Sequence, residues 1–166
     1  MARPSFAIVP GEGQESVWDY PRPPRLEPVD ERIIARFGGI TIADTRAAYR
    51  VLETSHPPVY YLPPGDIAAD VILPVPGTSF CEFKGVASYV TLVAGGRRAD
   101  RAGWRYQNPT GSFAPIAGFI AFYASMLDEA RVGSEQVMPQ EGDFYGGWIT
   151  SRIVGPFKGA PGTLGW

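Results

Sequence analysis

The sequence predicts a mostly β protein: one compact domain of antiparallel sheets with little helix. Three observations carry that reading. Seventeen prolines and twenty glycines sit in clusters between short apolar runs, the punctuation of brief strands joined by turns. The runs themselves are rich in β-branched and aromatic residues, which suit a pleated surface. The 166 residues, 45% hydrophobic and 19% charged, supply enough apolar material for a single core near the commonest domain size.

Residues 1–15, closing on Pro10-Gly11-Glu12-Gly13, show no periodicity and read as a flexible N-terminal tail, which leaves residues 16–166 as the domain. Pro21, Pro23 and Pro24 then hold the chain extended, because each proline pushes its predecessor out of the helical region. The run from Arg32 to Phe37, the pair Gly38-Gly39 and the run from Ile40 to Asp44 form a hairpin with a glycine turn. Tyr49 to Thr54 and Val59 to Leu62 are two further strands, separated by Ser55-His56-Pro57-Pro58. Pro63 to Ile67 has the start of a single helical turn.

Phe80 to Lys84, Ala87 to Val93 and Trp104 to Tyr106, punctuated by Gly85 and Gly95-Gly96, read as an antiparallel meander. Phe119 to Tyr123 is a β-rich core run, favoured as strand over a helix spanning Phe119 to Arg131. Gly133-Ser134 marks one more hairpin. No repeat and no linker divides the chain.

Charge and composition exclude several functions. Fifteen Lys and Arg against seventeen Asp and Glu give a net charge of −2 with no basic stripe, so a nucleic-acid duplex held through its phosphates is not an expected partner. The apolar stretch Ala114 to Ala124 is too short to span a bilayer, and the opening residues lack the apolar run of a signal peptide, so a soluble, cytoplasmic protein without a membrane partner is expected. The single cysteine, Cys81, closes no disulfide within the chain and suits a reducing compartment. With one Cys and one His, the chain cannot assemble the four-ligand set of a structural zinc, whereas magnesium or calcium on carboxylates stays open.

Cofactor and catalytic motifs are also missing. Neither a Walker-type nor a dinucleotide-binding glycine loop is present, and no Gly-x-Ser-x-Gly elbow occurs, so no cofactor is expected. Two-metal nucleotidyl transfer needs acids spaced one apart beside a glycine turn; Gly95-Gly96 leads only to Asp100 and Gly38-Gly39 only to Asp44.

Seven residues remain as candidate ligand contacts. Arg50, Glu53 and His56 lie in the densest polar and aromatic stretch, with Glu53 and His56 at a strand end, where sites concentrate. They serve there as acid, base or ligand contacts, or else Glu53 pairs with an arginine and His56 is fixed by a carbonyl. Strand alternation puts Arg50 and Glu53 on opposite faces. Lys84 and Lys158 are the only lysines, each between a Phe and a Gly, and are either anion contacts or solvated turn residues. Tyr145 and Trp148 flank Gly146-Gly147 as pocket walls, the glycines letting a ligand approach, or as core rings; Trp104 and Tyr106 share a strand face, and Trp104 reads as core. Cys81, between aromatics, reads as a small buried hydrophobe.

Six ordered blocks carry a family resemblance: Glu15 to Pro24, Tyr49 to Pro63, Cys81 to Gly85, Phe113 to Gly118, Phe144 to Trp148 and Gly155 to Gly159. Together they resemble the domain-of-unknown-function family 427, also labelled nucleotidyltransferase-like, over nearly all of Glu15 to Trp166. The resemblance implies a compact fold of coiled antiparallel sheets similar to a β-tent. It brings no reaction, substrate or catalytic residue with it.

The leading expectation is a domain that binds a small polar or anionic ligand in an aromatic pocket, with or without an enzymatic step. The alternative is a protein-interaction module whose exposed rings and sheet edge receive a partner or a second copy of the chain. A nucleotide-related activity is the third reading.

Overall fold

The structure, a computed structural model, describes residues 3–142 and 144–166. Fifteen short strands run through them. In chain order they are β1 (Glu15–Ser16), β2 (Arg25–Pro28), β3 (Ile33–Phe37), β4 (Ile40–Thr45), β5 (Tyr49–Leu52), β6 (Val59–Tyr61), β7 (Ile72–Cys81) and β8 (Gly85–Ala94). There follow β9 (Arg97–Tyr106), β10 (Ile120–Phe122), β11 (Glu129–Val132), β12 (Glu135–Gln136), β13 (Met138–Pro139), β14 (Trp148–Ile149) and β15 (Ile153–Val154). The helical content consists of short 3-10 turns, the longest at Gly111–Ile116, so the protein is mostly β as its sequence predicts.

Two four-stranded antiparallel sheets, β10-β9-β8-β7 and β12-β11-β3-β4, enclose the main core. A third, β2-β5-β6, joins the first through Leu62 and Ile120, which exchange backbone hydrogen bonds of 2.8 and 2.9 Å. Strand β3 shows why the sheets face as they do. Ile33, Ala35 and Phe37 are buried at every second position while Ile34 and Arg36 turn outwards, so a slip of one residue would put the apolar set in water.

Both glycine hairpins are present. Gly38-Gly39 and Gly95-Gly96 all have positive φ, the demand of the tight turns whose twist matches flanking strands. The two turns also press backbone to backbone: a Cβ on Gly38 would run into the Ala94 carbonyl, and one on Gly95 into the Gly38 carbonyl. Strand β7 begins earlier than its sequence indicates, because it runs through Pro74, Pro76 and Gly77. As an edge strand with a register shift between Val75 and Thr78, it tolerates residues a central strand would reject. The segment 119–131 resolves into β10, a 3-10 turn at Ala124–Met126 and the start of β11, with no α-helix.

Of the expected tail, residues 1 and 2 lie outside the described residues, and residues 3–15 are seated on the domain. Arg3 donates two hydrogen bonds to Asp19, and Phe6 lies 5.1 Å from the Trp166 ring and 5.3 Å from Trp18. Glu15 opens β1, which pairs in parallel with β15. Aromatic anchors leave no periodic signature, which is why the segment reads as a tail. No helix among the described residues is long and apolar enough to cross a membrane.

Candidate functional site

Strand β5 ends at Leu52 and the chain reverses over Glu53 to His56, closed by a 3.0 Å hydrogen bond from the His56 N–H to the Glu53 carbonyl. Ser55 sits third in this turn at φ 73°, the left-handed conformation such a reversal needs there. The turn sets Glu53 and His56 side by side, with Oε2 and Nε2 3.9 Å apart. It also recruits a distant segment, since the Ser55 carbonyl accepts the Lys158 backbone N–H at 2.8 Å.

Gln140 completes this corner. Its Oε1 accepts the Gly147 N–H at 3.0 Å, which fixes the orientation of the amide, and its Nε2 donates to the Lys158 carbonyl at 2.6 Å. The same Nε2 faces His56 Nδ1 at 3.2 Å, so Nδ1 is the acceptor and the neutral ring carries its proton on Nε2. Burial, and then the positive charges of Lys158, Arg22 and Lys84, push the His56 pKa down to about 4. With the ring neutral at pH 7, its approach to Glu53 is not an ion pair.

Rings from three sheet elements face this corner across a cavity of about 320 Å³, the lower end of the range for small-molecule pockets. Tyr61 comes from β6, Tyr89 from β8, and Trp104 and Tyr106 from β9. The Trp104 Nε1–H donates to the Tyr61 hydroxyl at 3.2 Å, and the Tyr89 hydroxyl shares a 2.7 Å hydrogen bond with Ser79. Burial raises the pKa of Tyr61, Tyr106 and Tyr123, so these phenols stay protonated. Lys84 Nζ stands 5.8 Å from the Tyr106 ring centre and 5.9 Å from that of Phe113. Lys158 Nζ stands 5.6 Å from the Tyr145 ring centre and donates to the Trp166 carbonyl at 3.2 Å, while Tyr145 meets His56 edge to face at 5.1 Å.

Five of the seven expected residues therefore line one hollow: Glu53, His56, Lys84, Tyr145 and Lys158. Arg50 and Trp148 do not. Arg50 points to the other face of β5, as strand alternation requires, and bonds to Glu15 at 2.6 Å and Glu27 at 2.7 Å. Burial opposes its charge, but those two carboxylates override that and raise its pKa. A larger cavity of about 410 Å³ lies on that side, but both of its arginines are already paired, Arg50 as described and Arg152 with Glu31.

Trp148 is core, 1% exposed, stacked on Tyr60 with its Nε1–H donating to the Phe122 carbonyl at 3.0 Å. The adjacent glycines admit protein and not ligand. A Cβ on Gly146 would strike the Trp104 indole, and one on Gly147 would strike Pro57 and Gln140. Trp104, expected as core, is half-buried and forms cavity wall, and Cys81 is likewise half-buried on the lining.

Gln140, Tyr89 and Tyr123 escape the sequence reading. Tyr89 falls within a recognised strand, where alternation alone would have offered it as a face residue. Gln140 reaches His56 across 84 positions, a pairing without local signal. Among the described residues, no group of three His, Cys, Asp or Glu side chains gathers as a metal-binding cluster.

Fold and site together define a small, mostly β domain built around an aromatic-walled hollow with cations at its edge. The family described as a domain of unknown function (DUF427) matches residues 25–133, and the chain belongs to that family. Glu53, His56 and Lys84 fall within the matched span; Gln140, Tyr145 and Lys158 lie beyond it. No curated protein matches the chain at a significant level.

Proposed function

We propose that the chain is a small-molecule-binding domain whose cavity takes a small anionic ligand with a planar body. One observation carries this reading. Both lysines, the only histidine and the only cysteine line the same hollow, together with five of the eight tyrosines. Scarce side-chain types meeting in one cavity are not what core packing or solvation requires. Two ammonium groups against one carboxylate favour an anion, and the rings offer flat apolar faces to its body. The lone cysteine supports a reducing, cytoplasmic setting.

Thermal melting against aromatic carboxylates, sugar phosphates, nucleotides and neutral analogues tests the proposal. A ligand at a hundred times its dissociation constant adds about 2.7 kcal/mol and raises the midpoint visibly. Stabilisation by carboxylates, lost in the Lys84→Met, Lys158→Met double variant, is the expected result. Stabilisation by neutral analogues alone, or by nothing, would overturn it, and a response confined to nucleotides would favour a nucleotide-related activity instead.

The interaction reading is favoured by a different feature. Phe80 and Phe144 are each 75% exposed on the cavity lining, and Phe80 belongs to β7, the edge strand of its sheet among the described residues. Light scattering separates the two readings: a stable dimer that Phe80→Asp dissociates would support an interface.

A further inference from the structure

Among the described residues, Glu53 is the only carboxylate on the cavity lining. Glu15, Glu27, Asp44 and Asp128 each accept short hydrogen bonds, whereas among the described residues no group donates to the Glu53 side chain. Its nearest partners are Arg22 at 3.7 Å and His56 Nε2 at 3.9 Å, both beyond hydrogen-bonding distance. His56 Nε2 likewise makes no hydrogen bond to a described group, while Nδ1 is held by Gln140. A proton acceptor and a proton-bearing donor thus stand next to one another on the cavity lining, neither hydrogen-bonded to a described group, with Arg22 near enough to form an ion pair with the carboxylate.

We propose that this pair makes the cavity a keto–enol tautomerase site for aryl-substituted 2-oxo acids, with Glu53 as the base and His56 Nε2–H as the hydrogen-bond donor to the carbonyl oxygen. The inference rests on the anionic-ligand reading above and names its substrate class. Each part of such a molecule has a counterpart: the carboxylate meets Lys84 and Lys158, the aryl group meets Tyr61, Trp104 and Tyr106, and the 2-oxo group with its neighbouring C3–H bridges His56 and Glu53.

The roles follow from the proton inventory. His56 has no free lone pair, because Nδ1 is occupied by the Gln140 amide and Nε2 carries hydrogen, so the base must be the carboxylate. Glu53 takes the C3 proton, the C–H electron pair becomes the C2–C3 double bond, and the carbonyl π pair moves to oxygen. The oxygen is stabilised by the Nε2–H and then receives the proton from Glu53, giving the enol. Nothing is oxidised or reduced, and no co-reactant is consumed. In D2O the acid form of Glu53 exchanges with solvent, so reversal places deuterium on C3.

The test uses the full chain with phenylpyruvate as the probe in D2O, following loss of the C3 proton signal by NMR, with binding measured separately by calorimetry. Exchange should exceed the buffer rate on the order of 10²-fold, the usual contribution of a positioned base. Glu53→Gln should return it to the buffer rate with the dissociation constant changed by less than about three-fold, Glu53→Asp should retain part of it, and His56→Phe should lower it about ten-fold. Phenylpyruvate that binds but exchanges at the buffer rate would overturn this inference and leave the ligand-binding reading intact. Failure to bind would overturn this inference alone, since the anionic-ligand reading stands or falls with the wider ligand panel, and a folded Glu53→Gln variant as fast as the parent would overturn the assignment of Glu53 as the base.

Discussion

Gln140 holds the imidazole of His56 by its Nδ1 at 3.2 Å, with an amide whose own orientation is dictated by the Gly147 N–H. One backbone hydrogen thus settles, two bonds away, which nitrogen of the ring carries a proton. It also means that the ring's chemistry depends on a segment 84 residues distant in the chain.

Replacing Gln140 should therefore cost stability and unlock the ring together. Gln140→Leu removes three hydrogen bonds and strands the Gly147 N–H and the Lys158 carbonyl, a loss of roughly 2–4 kcal/mol by urea denaturation. The ¹⁵N shifts of His56 should move from a pure Nε2–H pattern to a mixture of tautomers; an unchanged pattern would show that Gln140 does not set it.

His56 also imposes a pH dependence. Its pKa falls from the ordinary 6.5 to about 4 in the folded state, so between those values the unfolded chain binds the extra proton. Stability from this group is fully present above pH 6.5, declines as pH falls, and levels off below about 4. At about 1.4 kcal/mol per unit the upper bound is about 3 kcal/mol. The difference in unfolding free energy between parent and His56→Gln, measured from pH 4 to 8, should rise with pH across that window; a flat difference would contradict the assignment.

The contact between the two glycine turns predicts a severe effect from a small change. Gly38→Ala and Gly95→Ala each put a methyl group into a carbonyl and force a positive φ on alanine, at a cost of roughly 3 kcal/mol. Gly39→Ala, with positive φ but open space above it, should cost clearly less. Equal melting temperatures for Gly38→Ala and Gly39→Ala would show that the turns do not touch.

Arg50 is a control on the opposite face of β5. Arg50→Met leaves Glu15 and Glu27 without their shared guanidinium, which is 17% exposed, and should destabilise by about 1–2 kcal/mol given their partial solvation. Affinity for an anion in the aromatic cavity should not change. A parallel loss of affinity would mean that the two faces communicate.

Much of the fold was legible because it is written in local rules. Gly38-Gly39, Gly95-Gly96 and Gly133 announce hairpins, and alternation in β3 announces its buried face. The early start of β7 was hidden because Pro74 and Pro76 argue against a strand unless its edge position is known. Of the site, the turn carrying Glu53 and His56 was legible from its polar content, and the lysines from their rarity. Trp148 went astray because a Gly-Gly pair signals only that something comes close; here Trp104, Pro57 and Gln140 come close. Gln140 itself could not be found, since what matters about it is a contact made only after the sheets assemble.

The placement of the two lysines has a practical corollary. Arginine serves nearly everywhere else on this protein as the cation, so acylating reagents that attack side-chain amines have targets at the mouth of a single hollow. The rate at which such a reagent modifies Lys84 and Lys158, read by mass spectrometry of the intact chain, becomes a gauge of whether that hollow is occupied.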